Sequence, residues 1–239
     1  MAVSVPVGHL LSRTGPLQLT LEGSAPYLHL IGRRLRRLGW DVRHTAGTAP
    51  CAVLDGRRLA LGQSGVPFGC QAEAAVAARW LEPGETMGFL LLAEGTPSSL
   101  AAWQPLLDAL APARGMWLCC GPAGSVLFVG RVLELFSYAC GPAVFPQGAT
   151  PDSLQAVLAD PWRLLQTQQG LLPPLAACAR AYLARHPLPP SSANPVSLPP
   201  APGHAHFAQA LAAFLLTLLE PLTGAPTHEA SANPGTQGC

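Results

Sequence analysis

No lysine occurs in this chain of 239 residues; every one of its 14 basic side chains is an arginine. That excludes any mechanism needing an amine side chain, whether as Schiff base, general base or phosphate-loop ligand. Charge of either sign is scarce, at 11% of residues against about a quarter in typical domains. With a net charge of +1, no field draws the protein to nucleic acid or to an anionic membrane. The seven cysteines form no CxxC pair, and none stands with a histidine at zinc-ligand spacing, so no metal site is expected. They read as reduced core thiols of a cytoplasmic protein. The N-terminus lacks a basic segment followed by an apolar one, so no signal peptide is expected. Apolar runs such as Phe89–Ala93 and Phe214–Leu219 are too short to span a bilayer.

What the chain does have is an apolar segment entered through a glycine turn, Gly121 to Tyr138. Val126, Val129, Val132, Leu133 and Phe136 recur at helical spacing, which predicts a helix with one face in a core. Upstream, Leu17–Leu21 alternates like a strand, and Gly23-Ser24-Ala25-Pro26 makes a turn. Tyr27–Leu38 then reads as an amphipathic helix with Leu28, Ile31, Leu35 and Leu38 inward. Arg33, Arg34, Arg36 and Arg37 crowd its solvated side, Gly39 caps it, and Trp40-Asp41-Val42 starts a second strand. Strand, turn, helix and strand make a βαβ unit. A dinucleotide fold would put its phosphates on this turn, through a GxGxxG motif. The matching positions are Gly23, Ala25 and Leu28, so Gly23 and Ala25 are the cofactor-binding candidates.

Further along, Cys51–Leu61 predicts a hairpin about Asp55-Gly56, and Gly62–Gly65 a loop. Gln71–Leu81 reads as an alanine-rich helix and Gly88–Glu94 as a buried strand. Thr96 caps a helix running to Ala111, and Met116–Cys120 is another strand. Two helices are expected within 151–186, split near Gly170 and Pro173-Pro174. A Pro/Ser linker spans 188–202, a last helix His206–Leu219, and a tail 223–239. The expected fold is α/β followed by all-α. A reduced Rossmann-like domain covers 1–120 and a helical domain 121–222.

The order of these motifs resembles the decarboxylating 6-phosphogluconate dehydrogenases and their β-hydroxyacid dehydrogenase relatives. Gly88–Pro112 and Cys119–Tyr138 resemble the family's last Rossmann strand, its helix and its catalytic helix. Leu59–Gly69 resembles the substrate loop, Leu17–Val42 the first βαβ unit, and His206–Leu222 the C-terminal helix. The middle of the Rossmann domain, between Arg43 and Arg57, has no counterpart. The resemblance implies NADP as cofactor and homo-oligomerisation through the helical domain. It also implies a helix lysine as base and a glutamate as acid, at positions held here by Gly130 and Ser137. The substrate-binding His-Asn pair falls on Leu133 and Glu134, and the glycine-histidine pair on Val126 and Leu127. The phosphate-binding arginine falls on Glu220 and the terminal histidine on Pro226. Ser64 and Gly65 of the substrate loop are kept, as is Tyr138.

Glycine and serine cannot replace a lysine/glutamate pair as base and acid, and Glu220 would repel the phosphate an arginine attracts. The expectation is therefore a relative that has lost catalysis and serves as a structural or regulatory, dimeric protein. The alternative is an NADP-dependent reductase of the imine reductase type. Glu134 or Tyr138 would then donate the proton, in a pocket walled by Trp103, Leu127 and Phe136. A third reading is a module that holds an apolar ligand where Val126, Leu127 and Leu133 replace polar positions. Ser64 has no histidine and acid arranged for hydrolysis, and His204 with His206 reads as a solvated pair.

Overall fold

A computed structural model describes residues 18–144, 161–187 and 207–223, with side chains for 18–135, 169–187 and 207–219. The elements run β1 (Gln18–Glu22), α1 (Tyr27–Arg37), β2 (Asp41–Thr45), β3 (Cys51–Leu54), β4 (Arg57–Gln63) and β5 (Ala74–Ala78). There follow α2 (Gly84–Met87), β6 (Leu91–Gly95), α3 (Pro97–Leu110), β7 (Trp117–Gly121), α4 (Ser125–Val144), α5 (Pro161–Arg185) and α6 (Phe207–Thr223). All seven strands join one sheet in the order β2-β1-β3-β4-β5-β6-β7. The β1/β2, β4/β5 and β6/β7 pairs are parallel. The β1/β3, β3/β4 and β5/β6 pairs are antiparallel.

The fold is thus α/β with a mixed sheet. A doubly wound nucleotide fold flanks its first strand with parallel partners; here β3 enters antiparallel beside β1. The cause is local. Asp55 and Gly56 both take positive φ, 51° and 77°, as a two-residue hairpin turn requires. The hairpin turns β4 back along β3, in the stretch where the resemblance had no counterpart.

Strand alternation sorts the core into two layers. On one face, Leu19, Leu21, Leu59, Leu61, Val76 and Ala93 pack with α1 and α3, through Ile31, Leu35, Trp103 and Leu107. On the other, Ala77, Leu92 and Cys120 pack with Val126, Val129 and Val132 of α4, Tyr182 of α5 and Leu215 of α6. The C-terminal helices are therefore laid on the sheet and share a core with it.

Three expectations change. Residues 74–78 form strand β5 and not a helix, with all five side chains buried. Alanine favours helix intrinsically, but small residues suit a central strand covered on both faces, and tertiary pairing wins. Second, α5 continues through Gly170, Pro173 and Pro174 instead of splitting. The N–H groups those prolines lack would serve carbonyls on an exposed side of the helix, at 169–170, where water replaces them. Third, Leu38 and Leu133 are exposed, at 53% and 46%, so both lie off the core-facing stripes assigned to them. The linker 188–202 and most of the tail 223–239 lie outside the described residues.

The arginine-rich face of α1 is also more than a solvated one. Arg34 is buried, and its guanidinium donates to Ala109 O at 2.8 Å, Ala111 O at 2.7 Å and Thr86 O at 3.0 Å. It caps the carboxyl ends of α3 and α2 together, where orphan carbonyls and the negative dipole end favour a cation. Arg33 and Arg37 reach Glu85 at 2.6 and 2.8 Å from exposed positions, which contributes little. Arg34→Ala should therefore lower stability in urea denaturation by about 3 kcal/mol, and Arg33→Ala by no more than about 1 kcal/mol.

Candidate functional site

The turn after β1 leads into α1 with Gly23 at φ +119°. The Gly23 amide donates to Thr45 O at 3.1 Å. A methyl group on Gly23 would lie 3.0 Å from Pro50 Cα and 3.2 Å from Pro50 N. The Ala49-Pro50 backbone, entering β3 beside β1, therefore rests on this turn, where a dinucleotide fold would lay its pyrophosphate. The Ala25 carbonyl accepts from the Leu28 amide at 3.0 Å, and Leu28 is buried in the core. Beside the turn, the Cys51 thiol donates to Glu22 Oε2 at 3.3 Å, and Arg58 pairs with the same carboxylate. Burial first, then the Glu22 hydrogen bond and charge, push the Cys51 thiol up to about 12. It is protonated at neutral pH and is no nucleophile.

The second constellation lies between the β4–β5 connection and α4. A methyl group on Gly130 would lie 2.6 Å from the Gly65 amide nitrogen and 2.9 Å from Ser64 Oγ. A methyl group on Gly65, at φ +76°, would run into the Glu134 carboxylate. The fold thus brings together Ser64, Gly65, Gly130 and Glu134, in direct packing. The space a side chain at 130 would need is filled by the Ser64-Gly65 backbone.

A third feature was not anticipated. Glu94, at the end of β6, is buried, and its Oε2 accepts from the Val126 amide at 2.7 Å. The neighbouring Gly124 and Ser125 amides also favour its charged form, although the Ser125 amide itself is bonded to Pro122 O at 3.1 Å. The strand's own acid therefore takes one of the opening amides of α4, which has four orphan donors to place. Burial raises the Glu94 carboxyl above the ordinary carboxylate range, and these amide bonds oppose that shift. The signal was present in the sequence: an acid ending an otherwise apolar strand, followed later by a glycine turn that opens a helix. At the same turn, Ser125 Oγ and the Tyr182 hydroxyl lie 2.7 Å apart, which ties α4 to α5.

The reductase pocket does not assemble as expected. Trp103 is fully buried in the core beneath α3, across the sheet from the α4 layer that carries Leu127 and Glu134. Its indole N–H donates to Glu73 Oε1 at 2.9 Å. Val126 is in the core, Leu127 half-buried and Leu133 exposed, so these three do not line one cavity. Tyr138, Ser137 and Phe136 belong to α4 and Glu220 to α6, but their side chains lie outside the described residues. So do His204, His206 and Pro226. Among the described residues, no group of three or more His, Cys, Asp or Glu could hold a metal ion. None of the described helices is long and apolar enough to cross a membrane.

A separate cleft of about 730 Å³ lies between α3 and the edge strand β7. Trp117 and Cys119 of β7 floor it, and Leu100, Ala101 and Gln104 of α3 form one wall. It reaches the turns at the carboxyl ends of β6 and β7, at Thr96 and Pro122. No protein-family model and no curated protein matches the chain.

Alanine gains about 1 kcal/mol over glycine within a helix, and Gly170 on α5 has open space around it. Gly170→Ala should accordingly raise stability in urea denaturation, while Gly130→Ala should lower it by about 1–3 kcal/mol. For Glu94, a raised carboxyl means that the folded state binds more protons than the unfolded one between the two values. Its contribution is present below the ordinary carboxylate range and is lost as pH rises through the raised folded value. Glu94→Gln should remove that slope from a pH series of denaturation curves. Glu94→Ala, which leaves the helix amides unpaired, should cost about 2–3 kcal/mol.

Proposed function

We propose that the chain is a divergent relative of the 6-phosphogluconate dehydrogenase and β-hydroxyacid dehydrogenase family that has lost catalysis. In this reading it is a cytoplasmic structural or regulatory protein that binds no NADP. The observation that carries it is the contact of Gly130 with Gly65. At the position the resemblance gives to the catalytic lysine there is no side chain and no room for one, because a methyl group would already lie 2.6 Å from the Gly65 nitrogen. The Ala49-Pro50 backbone on Gly23 supports the same reading for the cofactor. So does Glu94, since the α4 amides that might receive an anion are already taken. The five described cysteines are free thiols, in keeping with a reducing compartment.

The apolar side chains of α4 and α6 that suggested subunit contact are mostly turned inward, onto the sheet and α5. Self-association through these helices would rest on the exposed Leu133 and Leu218. One observation favours the reductase alternative: Glu134 stands beside the Ser64-Gly65 loop, where a proton donor would be wanted. It ranks second because Trp103 lies across the sheet and the Gly23 turn is covered. Titration calorimetry with NADP and with NADPH should give no binding heat, and NADPH should not be consumed with a panel of ketones and imines. A tight NADPH complex would overturn the non-catalytic reading. Turnover abolished by Glu134→Ala would establish the reductase in its place.

A further inference from the structure

We propose that the cleft between α3 and β7 is a binding site for an uncharged, ring-bearing small molecule. Helix α3, which follows β6, packs on one face of the sheet, whereas α4, which follows β7, packs on the other. The connections from two adjacent parallel strands therefore leave in opposite directions. At such a switch point a crevice opens outside the carboxyl ends of the strands, and ligands of α/β sheets bind there. The cleft reaches that crevice through Thr96 and Pro122. Its volume of about 730 Å³ suits a ligand of two or three rings.

The chemistry of the walls selects the ligand. Elsewhere, switch-point ligands are often anions, held by helix N-termini. Here both nearby N-termini are closed from within. Glu94 holds the Val126 amide of α4 at 2.7 Å, and Thr96 Oγ1 accepts from the Ser99 amide of α3 at 3.1 Å. No arginine or histidine lines the cleft. Its one charged lining residue, Glu73, is already paired with Arg57 at 3.0 Å and with the Trp103 indole at 2.9 Å. An anion would meet no free cation or donor array, and a cation would have to compete with Arg57. What remains is a mostly apolar surface with the Trp117 ring in its floor. The Trp117 N–H is already bonded to Asp108 Oδ1 at 3.0 Å, so the ring offers its apolar face and not its donor. Gln104 supplies a neutral polar group for orientation. Gln209 of α6 also lines the cleft, with its side-chain amide given to the His186 and Pro187 carbonyls; neither Gly130 nor Glu134 does, and the proposal does not depend on whether the chain is an enzyme.

A matched pair of fluorescent probes tests it. N-phenyl-1-naphthylamine is neutral, and 8-anilinonaphthalene-1-sulfonate has the same aromatic skeleton with a sulfonate added. Fluorescence titration of the full chain should show the neutral probe binding one to one. The sulfonate should bind at least about tenfold more weakly, because burying an uncompensated charge is unfavourable. Ala101→Trp, at an exposed position of α3, should fill the cleft and weaken the neutral probe by about tenfold or more. Its far-ultraviolet circular dichroism should be unchanged. Gln104→Arg should strengthen the sulfonate probe selectively, by supplying the missing cation. Equal affinity for both probes, or indifference of the neutral probe to Ala101→Trp in a folded variant, would overturn the assignment. So would a Gln104→Arg variant that fails to favour the sulfonate.

Discussion

The carboxylate of Glu94 is the contact on which the arrangement of layers depends. It sits near the end of β6 and takes the Val126 amide in the first turn of α4. One side chain thereby ties the sheet to the helix that carries Val126, Val129 and Val132 into the second core layer. A buried carboxylate is unfavourable unless its lone pairs are matched. The helix end is unfavourable unless its donors are matched. Each defect cures the other. The network extends outward through Ser125 and Tyr182, whose oxygens lie 2.7 Å apart, and through Tyr182 stacked on Phe128. Arg34 does the converse on the opposite face, where one buried cation closes the carboxyl ends of α2 and α3.

This self-satisfaction bears directly on function. An α/β sheet offers its anion sites wherever backbone donors face open space at a strand's carboxyl end. In this chain those donors are engaged internally. The Gly23 amide goes to Thr45 O, the Ser99 amide to Thr96 Oγ1, and the Val126 amide to Glu94. The Ser64-Gly65 backbone fills the space beside Gly130. A scaffold reading needs only that these contacts be intramolecular and tight. A nucleotide enzyme would need several of them to open.

Much of the α/β half was legible because its signals are local. The Asp55-Gly56 turn, the Thr96 cap and the periodic leucines of α1 each specify their own element, and the structure forms them. Residues 74–78 were not legible, because an alanine run satisfies a helix and a doubly covered strand equally well, and only the neighbours β4 and β6 decide. The antiparallel entry of β3 likewise depends on pairing between distant segments. At the candidate site, the resemblance placed Ser64-Gly65 in a substrate loop and Gly130 and Glu134 on a catalytic helix without pairing them, and packing brings them together. Trp103 was misplaced, since helical spacing does not reveal which face of a sheet a helix covers. Glu94 and Arg34 were missed for a common reason. A charged residue on an apolar element reads as solvated until its backbone partners in other elements are known.

The chain's own groups hold the donors a nucleotide would use. Amide hydrogen exchange at Val126 and Gly23, measured with and without excess NADPH, tests it most directly. Both amides should exchange as slowly as the core strands in the free chain, and NADPH should leave them unchanged. Fast exchange in the free chain, slowed by NADPH, would contradict the account.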